Sequence, residues 1–105
     1  EIFFANAASF RDHIRELVGG EPSIREVIVD AAAITHIDST ALDLIGELQR
    51  ELARHDVELV FARLKGPVHD ALRRAEAAGA ITPLRRFPTL RSAVSDFLGT
   101  DSDAS

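Results

Sequence analysis

Apolar positions along the chain recur with two different periods, and the alternation between them predicts the order of elements. From Ala7 to Val18 the residues Phe10, Ile14, Leu17 and Val18 fall at helical spacing, and Gly19 with Gly20 supplies the stop. Within Arg25 to Asp30, Val27, Ile28 and Val29 form a β-branched run too short for a helix, which predicts a strand buried on both faces. Between Thr40 and Arg54, Ala41, Leu44, Ile45, Leu48 and Leu52 share one face, while Glu47, Arg50, Glu51 and Arg54 lie mostly on the other. This is the clearest amphipathic helix of the chain. Val57 to Ala62 is a second compact strand-like run. Gly66 and Pro67 then open a helix that turns Val68, Ala71, Leu72 and Ala75 inward and closes at Gly79. A short strand is expected around Ala80 to Thr82. Pro88 and Thr89 start a last helix, with Leu90, Ala93, Val94, Phe97 and Leu98 expected inward.

Strands that alternate with amphipathic helices across short turns predict an α/β domain, a mixed and largely parallel sheet of about four strands flanked by about four helices. Glu1 to Phe4 has room for one short strand. The sequence opens at Glu1 without Met and reads as an excised piece, so a further first strand is expected from upstream sequence. One domain is predicted over residues 1–98, followed by a loose tail over 99–105. The chain's 105 residues suit a single hydrophobic core. No internal repeat or low-complexity segment interrupts it.

Composition narrows the function. A 46% hydrophobic and 28% charged chain is an ordinary globular one, and its net charge of −5 argues against phosphate-led nucleic-acid binding. The absence of Cys removes disulfides, thiolate nucleophiles and zinc–thiolate sites. No apolar stretch approaches the roughly 18 residues needed to span a bilayer, and no signal peptide opens the sequence. Charge is unevenly placed: Arg63 to Arg91 carries a net +5, leaving −10 elsewhere. Such a basic segment suits anionic headgroups, an acidic partner or a nucleotide phosphate, although a solvated face is the commoner role.

The candidate chemistry lies in Thr35-His36-Ile37-Asp38-Ser39-Thr40-Ala41, which joins the first predicted strand to the best helix. Hydroxyls and a carboxylate here sit at a helix N-terminus, where unpaired amides and the helix dipole favour an anion. Ser39 is therefore placed to carry a phosphate, with Asp38 opposing it by charge or orienting a kinase's metal. The simpler reading has Asp38 or Ser39 capping the helix, with Thr40 and Asp43 resembling a capping box. The two roles are compatible. Enzyme readings are weak: His36, Asp38 and Ser39 are neighbours on one turn, unable to form a relay, and no G-x-S-x-G elbow exists. His13, His36, His55 and His69 are scattered singly, without metal-ligand spacing beyond the faint His36-x-Asp38. A phospho-aspartate receiver would offer Asp30 or Asp38 as acceptor, yet the acidic pair that holds its divalent ion is missing.

Several short motifs, in order, carry a resemblance: Phe3-Phe4-Ala5-Asn6-Ala7, Val29-Asp30, Ile37-Asp38-Ser39-Thr40-Ala41, Ala62 through Val68 with its Lys65-Gly66-Pro67 turn, and Phe87-Pro88-Thr89 before Ala93-Val94. Across nearly its whole length the sequence resembles a STAS domain of the sulfate permease (SulP) family of anion transporters. The resemblance implies a non-catalytic domain on the cytoplasmic face of the membrane. Such a domain is tethered to a transmembrane domain outside this chain, and regulates or supports transport through protein contacts. It further implies as partners the membrane domain, a second protomer and a regulatory protein or nucleotide. Anti-sigma factor antagonists share the domain type and give the alternative, a free-standing regulator switched by phosphorylation of the Ser after the Asp, matched here by Ser39. Asp38, Thr40 and Ala41 complete that regulatory turn. Ala41 stands where that motif usually has Gly, with less backbone freedom. No cofactor is expected beyond weak GTP or ATP binding, with Ser39, Lys65 and Gly66 as candidate nucleotide or anion contacts, because no phosphate-binding glycine loop is present.

Overall fold

The computed structural model describes residues 7–99. In chain order they form α1 (Ala7–Gly20), β1 (Glu26–Asp30), α2 (Ser39–Ala53), β2 (Glu58–Ala62), α3 (Gly66–Ala77), β3 (Arg86–Phe87) and α4 (Leu90–Leu98). The strands lie side by side in the order β1-β2-β3, all parallel, with Val27 opposite Leu59, Val29 opposite Phe61 and Ala62 opposite Phe87. The Ala31 amide donates to the Ala62 carbonyl at 2.8 Å and extends the β1–β2 ladder by one step. The α/β class and parallel sheet are as expected. The strand expected at Glu1 to Phe4 and the tail beyond Gly99 lie outside the described residues.

Alternation along the strands sorts side chains between two layers. Val29, Leu59 and Phe61 join the main core with Phe10 and Ile14 of α1, Ile45, Leu48 and Leu52 of α2, and Val68 and Leu72 of α3. Right-handed crossovers between parallel strands place α2 and α3 on this one face, and α1 packs against α2. Val60 and Ala62, at the alternate positions, are fully buried but stand outside that cluster. Among the described residues, helix α4 is the element on the second face: it contacts all three strands and buries Ala93.

That layering corrects two expectations. Of the five apolar α4 residues expected inward, only Ala93 is buried; Leu90, Val94, Phe97 and Leu98 are 39% to 64% exposed. Among the described residues no second helix packs beside α4 to cover its flanks. Leu17 of α1 is likewise 47% exposed, while Phe10 and Ile14 are buried as expected.

The strand expected at Ala80 to Thr82 is absent, and the third strand forms at Arg86–Phe87 instead. Backbone groups of the intervening segment are satisfied by side chains rather than by a ladder. Gln49 Nε2 donates to the Thr82 carbonyl at 3.0 Å and its Oε1 accepts from the Thr82 amide at 3.1 Å. The Leu84 amide donates to Glu76 Oε2 at 2.8 Å. Ile81 and Leu84 still bury their side chains, so the apolar signal was a core anchor rather than a strand. Gly79, at φ 78°, turns the chain out of α3 into this segment, a conformation open to glycine at little cost.

Candidate functional site

The turn between β1 and α2 is built on an apolar floor. Ile34, Ile37 and Ala41 are buried in the core cluster, which leaves Thr35, His36, Asp38, Ser39 and Thr40 exposed above it. Asp38 is the residue that caps α2: with extended backbone, its Oδ1 accepts from the Ala41 amide at 2.8 Å, and its carbonyl accepts from the Leu42 amide at 3.0 Å. Thr40 already lies within the helix, so the capping box read from Thr40 and Asp43 does not form. Ser39 is the first residue of α2, exposed, and its hydroxyl makes no hydrogen bond among the described residues. Division of labour follows: one side chain holds the helix start and the next is left available to solvent. Ala41 sits in regular helical backbone with its methyl buried, so glycine's extra freedom is not required there.

Lys65 is the N-cap position of α3, in extended backbone and without a side-chain cap bond; Gly66 and Pro67 form the first turn. All three are exposed. Because β1 and β2 are parallel, the turns after them emerge at the same end of the sheet, which places the Ser39 and Lys65-Gly66 helix starts on one rim. No hydrogen bond joins them among the described residues. A groove of about 560 Å³ between α1 and β1 is lined by Phe10, His13, Asp30 and Arg63, and by none of the predicted site residues. His36, Asp38 and Ser39 share no side-chain hydrogen bond, and Asp38 is engaged with the Ala41 amide, so a relay does not assemble. Among the described residues no three His, Asp or Glu side chains gather as a metal site.

Sequence reading missed the ion pairs at the two ends of the sheet, one of them at this rim. Arg63, in left-handed backbone at φ 62°, reaches across from the end of β2 to Asp30 at the end of β1, with Nε–Oδ1 3.0 Å and Nη2–Oδ2 2.6 Å. The Arg63 hydrogen bond, with a second from the Ala32 amide, holds the Asp30 carboxyl below its ordinary range. At the opposite end of the sheet Arg85 bonds Glu26 at 2.7 Å, Glu58 at 2.9 Å and Asp96 of α4, and lies over the Phe87 ring. Burial pushes the Glu26 carboxyl up despite the attraction of Arg85. Apart from Asp96, 11 residues from Arg85, the partners are separated by 27 to 59 residues and leave no local signal to find.

These features match a known class. A model of the STAS domain matches residues 1–93, and the chain belongs to that family. A Probable sulfate transporter of Mycobacterium tuberculosis is 33% identical over 95 residues, which is 90% of this chain and 17% of that protein. Sulfate transporter 3.1 of Arabidopsis thaliana is 30% identical over 87 residues, 74% of this chain and 13% of that protein. In fold, the chain matches part of the murine Slc26a9 anion transporter in its inward-facing state, with a TM-score of 0.78 at 18% identity, over 92% of this chain and 16% of that one. The chain thus spans about an eighth to a sixth of the length of these relatives. Among the described residues no helix is long and apolar enough to cross a membrane.

Proposed function

We propose that this chain is the non-catalytic regulatory domain of a membrane anion transporter of the sulfate permease class, tethered at the cytoplasmic face to a transmembrane domain. The observation that carries this reading is the match over nearly the whole chain to one segment of sulfate transporters, with the same fold in Slc26a9. Regulation runs through the Asp38-to-Ala41 turn, where Ser39 is exposed and unbonded while Asp38 secures the helix. A phosphate on Ser39 would lie at the positive end of α2, and an anion or the phosphate of a weakly held GTP or ATP would meet the amides at Ser39 and Gly66 beside Lys65. The membrane domain, a second protomer or a regulatory protein is the partner that reads this turn. Two measurements test the proposal. Upstream coding sequence is expected to hold about ten apolar segments of roughly 20 residues; a reading frame that begins just before Glu1 would refute the tether. Ser39→Ala and Ser39→Asp are expected to alter sulfate uptake in opposite directions without changing the melting temperature; uptake equal to the parent in both would refute the site.

The same exposed hydroxyl supports a second reading, a free-standing anti-sigma factor antagonist switched at Ser39. Phosphopeptide mass spectrometry after kinase treatment, together with a short reading frame, would favour it.

A further inference from the structure

Four charged side chains meet at the amino end of the sheet, away from the Ser39 turn. Glu26 of β1 and Glu58 of β2 are partners in the strand register, so two like charges stand side by side. Asp96 joins them from α4, and Arg85, just before β3, bonds all three. Its Nη2 donates to Glu26 Oε2 at 2.7 Å and to Glu58 Oε1 at 3.1 Å, its Nε donates to Glu58 Oε2 at 2.9 Å, and its Nη1 donates to Asp96 Oδ2. Three carboxylates thus share one guanidinium, a surplus of two negative charges when all are ionised.

The three acids are not equivalent. Glu58 and Asp96 are 49% and 43% exposed, so water screens them, whereas Glu26 is 4% exposed and its Oε1 is buried without a hydrogen bond. An ionised carboxylate with an unpaired buried oxygen is costly. The neutral acid is much less so, and it still accepts from Arg85 through Oε2. Burial holds the Glu26 carboxyl above its ordinary range; Arg85 pulls it down, and Glu58 and Asp96 push it further up.

Helix α4 feels the outcome. It buries Ala93 against the sheet, and Asp96 bonds it there through Arg85. An ionised Glu26 draws on the same guanidinium as Asp96 and repels the Asp96 carboxylate; a protonated Glu26 does neither. We infer that this cluster is a proton-operated clamp on α4, in which protonation of Glu26 hands Arg85 to Asp96 and tightens the helix against the sheet. The clamped state binds the proton better than the released one, so the hold on α4 is greatest on the acid side of the Glu26 titration and weakens as pH rises through it. Val60 and Ala62, fully buried on the α4 side of the sheet, are what a released helix uncovers, so the clamp governs access to that apolar face. Neither the tether nor Ser39 takes part in it.

Native-state hydrogen exchange tests the clamp, with each rate referred to that of an unstructured peptide at the same pH so that opening alone is read. From about pH 8 to about pH 4.5, the upper edge of the ordinary carboxylate range, protection of the Val94 and Phe97 amides is expected to rise about fivefold, the upper end of what one ion pair contributes. Glu26→Gln should start from the acid-side protection and lose the rise. Asp96→Asn reads the sharing directly: its cost to α4 protection should be about threefold larger in the Glu26→Gln chain than in the parent, because Arg85 then has one competitor fewer. Helix α4 should also open on its own, with Val94 and Phe97 less protected than Leu48 of α2. A flat α4 profile in the parent, an unchanged pH dependence in Glu26→Gln, equal costs of Asp96→Asn in both backgrounds, or α4 amides as well protected as Leu48, would each overturn the clamp.

Discussion

Gly46 tests how tightly helix α2 is seated. It lies buried in the middle of α2, where a glycine costs about 1 kcal/mol relative to alanine. On propensity alone Gly46→Ala would stabilise. The structure reverses that expectation, because an added Cβ would stand 2.7 Å from the Ala80 carbonyl oxygen and 3.4 Å from Ile81 Cγ2. The oxygen is main chain and does not swing away. Its segment is also fixed to α2 at Thr82 by the two Gln49 hydrogen bonds, so separating helix and loop stretches bonds of 3.0 and 3.1 Å. Forcing a methyl into a filled site costs about 1 to 3 kcal/mol, against which the propensity gain of about 1 kcal/mol is set. The net expectation is a loss of about 1 kcal/mol, or a melting temperature lower by about 4 to 8 °C for a domain near this size. Gly66→Ala is the matched control: the new methyl would have nothing within 4 Å of it and the backbone there is not left-handed, so stability should hold or rise by about 0.5 kcal/mol. Urea titration reads both as shifts of midpoint at constant slope. A Gly46→Ala protein as stable as Gly66→Ala would refute the close approach of α2 to the 80–82 segment.

Asp38→Ala removes the bond to the Ala41 amide and should cost about 1 kcal/mol, whereas Ser39→Ala should change stability by less than about 0.5 kcal/mol; equal losses in urea would mean that Ser39 shares the cap. Gln49→Ala leaves the Thr82 amide and carbonyl to water, so hydrogen exchange at the Thr82 amide should accelerate while exchange at Phe61, in the central strand, is unchanged. Burial alone would raise Glu76, but bonds from the Leu84 amide and Arg86 outweigh it and its carboxyl is held low. Its contribution is therefore present above the ordinary carboxylate range and lost as pH falls through the lowered value, so Glu76→Gln should destabilise at pH 7 and progressively less in acid. Glu26 has the opposite sign: burial raises it, its charged form opposes folding at neutral pH, and protonation relieves that cost. Glu26→Gln should accordingly match or exceed the parent at pH 7, with the gap closing as pH falls; a gap that widens in acid would show the Arg85 bond to dominate.

What could be read from the sequence was local. Periodicity located α1, α2 and α3, the β1 and β2 runs and the Thr89 cap of α4, because each depends on residues within one or two turns of one another. The Asp38-Ser39 turn was legible for the same reason: a capping residue followed by an amphipathic run is a short-range pattern. Which of the two residues capped was not, since that depends on where the buried Ile37 and Ala41 set the first turn. The tertiary structure decided the rest. Side chains of Gln49 and Glu76, brought from α2 and α3, satisfy the 82–84 backbone and displace the third strand to Arg86–Phe87. The Arg85 cluster joins positions up to 59 residues apart, and no pattern in the chain announces it. An apolar stripe specifies that a helix face seeks cover without specifying what covers it. Among the described residues α4 is the helix on its face of the sheet, which buries Ala93 and leaves Leu90, Val94, Phe97 and Leu98 39% to 64% exposed.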